Sequence, residues 1–211
     1  MASGRRLTIQ AADGERPTLC LLDGTDELGE MVVAGGDGEG TSLTLNGLWI
    51  EGGLRIEADS LEQLTVEHST LVPGRGLDAV SEPRRPDLPA LVAEVPNADL
   101  QVTIDHSITG PLRLPDEIAA LAVRDSIVHA PAGGGPALAG DDTGAEPGPK
   151  TTMERVTVFG RAHAREFELA SETIFTAAAV ARRRQAGCTR FCYLAPGSRM
   201  PRRFRCQPDL A

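Results

Sequence analysis

The chain has 211 residues, of which 41% are hydrophobic, 24% charged and only 3% aromatic; this composition excludes wholesale disorder and argues against an aromatic-lined pocket. Net charge is −9, yet residues 182–206 hold eight Arg and no Asp or Glu, so an acidic body carries a basic tail and nucleic acid is not an expected partner. No run reaches the roughly 18 apolar residues of a membrane span, and the opening Met1-Ala2-Ser3-Gly4-Arg5-Arg6 lacks the apolar core of a signal peptide, so the expected location is the cytoplasm or an assembled particle.

In chain order, the first predicted strand is Leu7-Thr8-Ile9-Gln10, and its phrase returns throughout the chain. It recurs as Leu43-Thr44-Leu45-Asn46-Gly47, Leu64-Thr65-Val66-Glu67-His68, Val102-Thr103-Ile104-Asp105-His106 and Leu121-Ala122-Val123-Arg124-Asp125. Weaker copies are Thr151-Thr152-Met153-Glu154-Arg155 and Phe167-Glu168-Leu169-Ala170-Ser171. The copies start 36, 21, 38, 19, 30 and 16 residues apart, and several of these gaps lie near the roughly 20-residue turn of a β-solenoid. Positions 1 and 3 are mostly apolar and position 2 is often Thr, which is strand alternation with one face buried. Second strands are predicted at Leu54-Arg55-Ile56, Leu91-Val92-Ala93 and Leu112-Arg113-Leu114. One turn of chain therefore holds at least two strands, and successive turns stack about 4.8 Å apart by parallel pairing.

The reading is an all-β chain, a right-handed parallel β-helix over 1–176. Loops project at 73–89 and 131–149, both rich in turn-forming residues. Residues 177–211 are expected to form a capping or docking tail. The run Ala177-Ala178-Ala179-Val180-Ala181-Arg182-Arg183-Arg184 predicts a short helix ending at Gly187, followed by an irregular Arg-rich segment.

Repeat columns supply the candidate chemistry. Position 5 brings His68, His106 and Asp125 to successive turns, the residue types of a metal triad or of a base with its orienting partner. Position 4 places Glu67 and Asp105 about one strand spacing apart, a pairing of carboxylates that, with His106, suits glycoside cleavage. The competing reading makes both columns polar stacks, with Arg124 relieving repulsion at Asp105. Trp49 falls at an apolar position and is expected in the core, while Tyr193 lies in the tail. Cys188, Cys192 and Cys206 cluster in the tail without a nearby His, so zinc, a disulfide and plain burial stay open. Asp37 and the Asp141-Asp142 pair sit in Gly-rich loops that suit calcium or simple solvation.

Residues 64–74 (LTVEHSTLVPG), 168–177 (ELASETIFTA) and 187–208 (GCTRFCYLAPGSRMPRRFRCQP) resemble the C-terminal β-helix region of large, poorly characterised bacterial proteins. Some of those are associated with phage-tail-like or contractile injection gene clusters. The resemblance runs over most of the chain, and residues 187–208 are its most specific part. It implies a β-helix module, and it carries no catalytic residues over. The family tail commonly has two cysteines, matching Cys188 and Cys206, which makes Cys192 an addition here.

The expected function is a non-enzymatic structural or binding module, in a phage-tail-like particle or as the scaffold of a larger protein. Its partner is expected to be a protein or a second copy, met through the open N-terminal end, where Arg5-Arg6-Leu7 enters the first strand at once, or through the Arg-rich tail. The alternative is a polysaccharide lyase or glycoside hydrolase acting on a bacterial or plant glycan, and no cofactor is expected.

Overall fold

In a computed structural model, residues 5–23, 27–34 and 40–208 are described. Every pairing between named strands is parallel, within one 15-stranded and one 8-stranded sheet. The chain is thus all-β, in an arrangement consistent with a solenoid.

The strands fall into three stacks. The first holds the repeated phrase: Arg6–Gln10, Ser42–Asn46, Gln63–Glu67, Gln101–Asp105, Ala120–Arg124 and Gly148–Glu154. Leu7, Leu43, Leu64, Val102, Leu121 and Thr151 lie in one column, as the repeat implies. Leu45, Val66, Ile104 and Val123 are fully buried while Thr44, Thr65 and Thr103 are half-buried, which is the period-2 alternation of a strand with one face inward. The predicted second strands form the third stack, where Leu54, Leu91, Leu112 and Leu138 stack inward.

Between them lies a middle stack of short strands that the phrase did not reveal, including Thr18–Cys20, Trp49–Glu51, Thr70–Leu71, Ile108–Thr109 and Ile127–His129. One tier of chain therefore holds three strands. Trp49 belongs to this stack and is half-buried, its indole Nε1 donating to Glu51 Oε1 at 3.4 Å. It is not a core residue; Ile50, next in the strand, turns inward instead.

The corner from the first to the middle stack is a single left-handed residue. Gly47 occupies it at φ 73°, followed in later tiers by His68 (50°), His106 (45°), Asp125 (46°), Arg155 (55°) and Glu172 (53°). The next residue points inward. Ser69, Ser107 and Ser126 there form a buried ladder: Leu48 N–H donates to Ser69 Oγ, Ser69 N–H to Ser107 Oγ and Ser107 N–H to Ser126 Oγ, at 3.0, 3.1 and 3.0 Å. These hydroxyls satisfy backbone donors that the sharp corner takes out of the sheet ladder.

Three further sequence expectations change. No helix forms over residues 177–184; Ala179–Ala181 is a strand, paired with Ala162, His163 and Ala164. Helix propensity yields to packing here, because Ala162, Ala164, Ala179 and Ala181 are small inward side chains in the tiers that house Phe167 and Phe175, the largest fully buried residues. Those two rings meet edge to face at 5.9 Å. Second, the 131–149 segment is not one loop: Pro136–Ala139 is a strand of the third stack and Gly148 opens another. The residues between them project. Third, a bulge separates Thr151↔Phe167 from Thr152↔Leu169, so Glu168 is the extra residue and Ser171 moves from position 5 to position 4.

Residues 188–190, 193–194 and 203–204 continue the first and middle stacks. Leu194, Met200 and Cys206 are 2%, 7% and 2% exposed, so these last tiers close over the core. Among the described residues, no helix is long and apolar enough to cross a membrane.

Candidate functional site

The corner column brings several predicted residues together. Asp105 and Glu67 are direct register partners on neighbouring strands. His106 Nδ1 lies 3.1 Å from Asp105 Oδ1, and the His68 and His106 rings are 5.2 Å apart and tilted. Donor atoms of Asp105, His106 and Asp125 lie within 4.8 Å of one another, so Asp105 stands in this group where His68 was expected. Each carboxylate already has a partner. Asn46 Nδ2 donates to Glu67 Oε1 at 3.0 Å, and Arg155 holds Asp125 with two bonds of 2.6 and 2.8 Å. Arg155's hydrogen bonds hold the Asp125 carboxyl below its ordinary range. Both Asp125 oxygens face a guanidinium, so a cation binding there must displace Arg155. Arg124 pairs with Glu154 at 3.3 Å, rather than with Asp105.

All four cysteines are free thiols. Cys192 and Cys206 follow the corner in adjacent tiers and point inward, where Cys192 Sγ donates to Arg190 O at 3.2 Å. Burial pushes the Cys192 thiol up to about 11, so it stays protonated at neutral pH. Asp141 turns back on its own loop, accepting from Thr143 Oγ1 and from Glu146 N–H. Asp142 instead meets Arg113 at 3.1 Å. Asp37 lies outside the described residues.

The structure also assembles a cleft that no sequence motif marked. The outer surface of the third stack, with loop 73–89 on one side and residues 140–147 on the other, encloses about 330 Å³. Arg55, Val92 and Arg113 are consecutive in register across its floor. Arg75 enters from the loop, its Nε donating to Pro89 O at 3.1 Å and its Nη2 to Glu30 Oε1 at 2.5 Å. It packs close against Gly53, where an added Cβ would come 2.9 Å from Cζ. Glu30 also takes Arg55 Nε at 2.6 Å. Burial works to raise the Glu30 carboxyl, but hydrogen bonds from Arg55 and Arg75 prevail and hold it below its ordinary value. Arg113 is pulled down by burial, against the opposing pull of Asp142.

The first tier differs from all of this. Among the described residues, Arg6–Gln10, Thr18–Cys20 and Glu30–Val33 each pair on one side only. Leu7 is 58% exposed, and Ile9, Leu19, Leu21, Met31 and Val33 pack on the core while only partly buried. An apolar-walled hollow of about 310 Å³ opens beside Leu7, Ile9, Met31 and Leu61.

Among the described residues, fold and sites together define an all-β protein of stacked parallel strands with a partly uncovered first tier and an arginine-lined cleft on the third stack. No family model matches the chain, and neither the curated proteins nor the solved structures contain a match to it.

Proposed function

We propose that the chain is a right-handed parallel β-helix acting as a non-enzymatic assembly module, a component of a phage-tail-like particle or the scaffold of a larger protein. Its working surface in this reading is the first tier, which adds to the β-edge of a protein partner. The observation that carries the proposal is an asymmetry of ends: Leu7 at 58% exposed against Leu194 at 2% and Cys206 at 2%. Open parallel edges offer unpaired N–H and C=O groups and seek another strand. Arg203–Phe204 is also paired on one side only, but among the described residues the first tier alone joins such an edge to uncovered inward apolar side chains. Handedness follows from the general preference of parallel crossovers.

Sedimentation of the full chain over a wide concentration range, with hydrogen exchange on the same samples, tests this. The expected result is concentration-dependent association, with the amides of Arg6–Gln10 gaining protection as it proceeds, and loss of that association in Leu7→Lys. A strict monomer at high concentration whose Leu7, Thr8 and Ile9 amides are already as protected as those of Gln63–Glu67 would overturn it.

A further inference from the structure

We infer that the cleft between loop 73–89 and residues 140–147 binds a small organic anion, whose oxyanion group is held by Arg55, Arg75 and Arg113. A guanidinium has five N–H donors on three nitrogens. Arg55 uses Nε on Glu30 and Nη1 on Glu94. Arg75 uses Nε on Pro89 O and Nη2 on Glu30. Arg113 uses Nε on Asp142 and Nη1 on the carbonyls of Leu112 and Pro136. One terminal nitrogen of each therefore has no protein acceptor among the described residues, and all three arginines line the same space. Fastening the two loops to the body explains the bonds at Arg75 and Arg113 that are made. It does not explain three partly unused guanidiniums facing one cleft.

Charge points the same way. The Arg75 and Arg113 side chains are only 8% and 7% exposed, and buried cations are costly unless closely paired. Glu30 serves both Arg55 and Arg75, Glu94 adds a longer contact to Arg55 at 3.4 Å, and Asp141 lines the space beside Asp142. Among the described residues, the carboxylate bonded to Arg113 is Asp142, which is 81% exposed on its loop and therefore a weak, solvent-screened partner. An incoming oxyanion can take its place on Arg113 and reach the free nitrogens as well. Arg55 and Arg113 stand on either side of Val92, about two strand spacings or ~9.6 Å apart. Val92, Leu88 and Pro89 supply apolar wall between the charges. At about 330 Å³, the space exceeds what an oxyanion alone needs and sits at the small end of ligand sites. The fitting ligand is thus an acid group on a compact body, the size of one sugar or amino acid.

Calorimetric titration of the full chain with sodium glucuronate, inorganic phosphate and, as the neutral control, glucose tests the site at constant ionic strength. Saturable one-site binding of glucuronate or phosphate is expected, with none for glucose. Glucuronate binding alone supports a site that grips the body through Val92, and phosphate binding equally well supports one that reads the oxyanion head. Arg55→Gln should weaken binding about tenfold, the loss of one charge-assisted hydrogen bond. Asp142→Asn removes the competing carboxylate from an exposed loop, leaves the fold in place and should strengthen binding severalfold. Absence of saturable binding by either anion overturns the inference, as does an affinity unchanged by both substitutions.

Discussion

At the scale of single residues, the corner column is governed by backbone geometry first and chemistry second. A left-handed φ costs an ordinary residue roughly 1–2 kcal/mol, yet His68, His106, Asp125, Arg155 and Glu172 all accept it. The side chains thereby line up in successive tiers and settle into pairs across them. Arg155 on Asp125 is the tightest of these, with both guanidinium bonds at or below 2.8 Å. Arg155 stabilises the ionised form, so the Asp125 carboxyl titrates below its ordinary value in the folded chain. The pair's contribution to stability is consequently present above the unfolded carboxyl's pKa and is lost as pH falls through the lower, folded value. Carboxyl-carbon NMR should find Asp125 titrating below the ordinary Asp value of about 3.9, and Arg155→Gln should bring it back toward that value. An Asp125 midpoint that does not move in Arg155→Gln would mean the pair does not persist in solution.

At the scale of elements, strand identity comes from alternation and strand position from close approach. Gly187 opens the strand-and-turn unit of residues 187–194 at φ 88°, with its backbone pressed against the tier below. A Cβ there would sit 1.8 Å from Phe167 O, an impossible contact with backbone. Gly187→Ala should therefore cost about 2 kcal/mol or more in urea unfolding, through strain at positive φ and the displaced strand. A loss below about 0.5 kcal/mol, typical of a surface change, would contradict this packing. The first stack was legible because Leu-Thr-Val phrases repeat with their apolar residues in fixed columns, and the third because short apolar-x-apolar runs at Leu54, Leu91 and Leu112 follow the phrase copies after turn-forming residues. The middle stack was not, since strands of two or three residues such as Thr70–Leu71 and Ile108–Thr109 carry too little alternation to register. Alanines at 179 and 181 misled for a related reason: their helical propensity is visible locally, whereas the phenylalanines that require them lie earlier in the chain. Corner residues could be read as a column, though not their pairing, because side-chain direction there depends on a φ that no residue type announces. The arginine cleft was invisible, as residues 55, 75 and 113 come from different tiers and share no spacing rule.

For the whole molecule, stacking makes stability a matter of neighbours. Each tier rests on the tiers above and below it, so an interior tier is held on two sides and the first tier on one. The last tiers also lie at an end, but their inward side chains are sealed by residues 194–206. Opening should therefore begin at the N-terminal tier and travel inward, without an equal counterpart at the other end. Hydrogen exchange of dilute, unassociated protein, resolved by peptide mass spectrometry, should show this as a one-sided gradient. Amides of Arg6–Gln10 and Thr18–Cys20 are expected to exchange at least about tenfold faster than those of Gln63–Glu67 and Gln101–Asp105, a difference of about 1.4 kcal/mol in opening free energy. Amides of Cys188–Arg190 should lie nearer the interior tiers than the first one. A symmetric gradient would place the weakness in end position alone and deprive the sealed C-terminal tiers of any special role. Uniform exchange throughout would make the stack a single cooperative unit, and an exposed Leu7 would then no longer identify the end at which a partner strand is taken up.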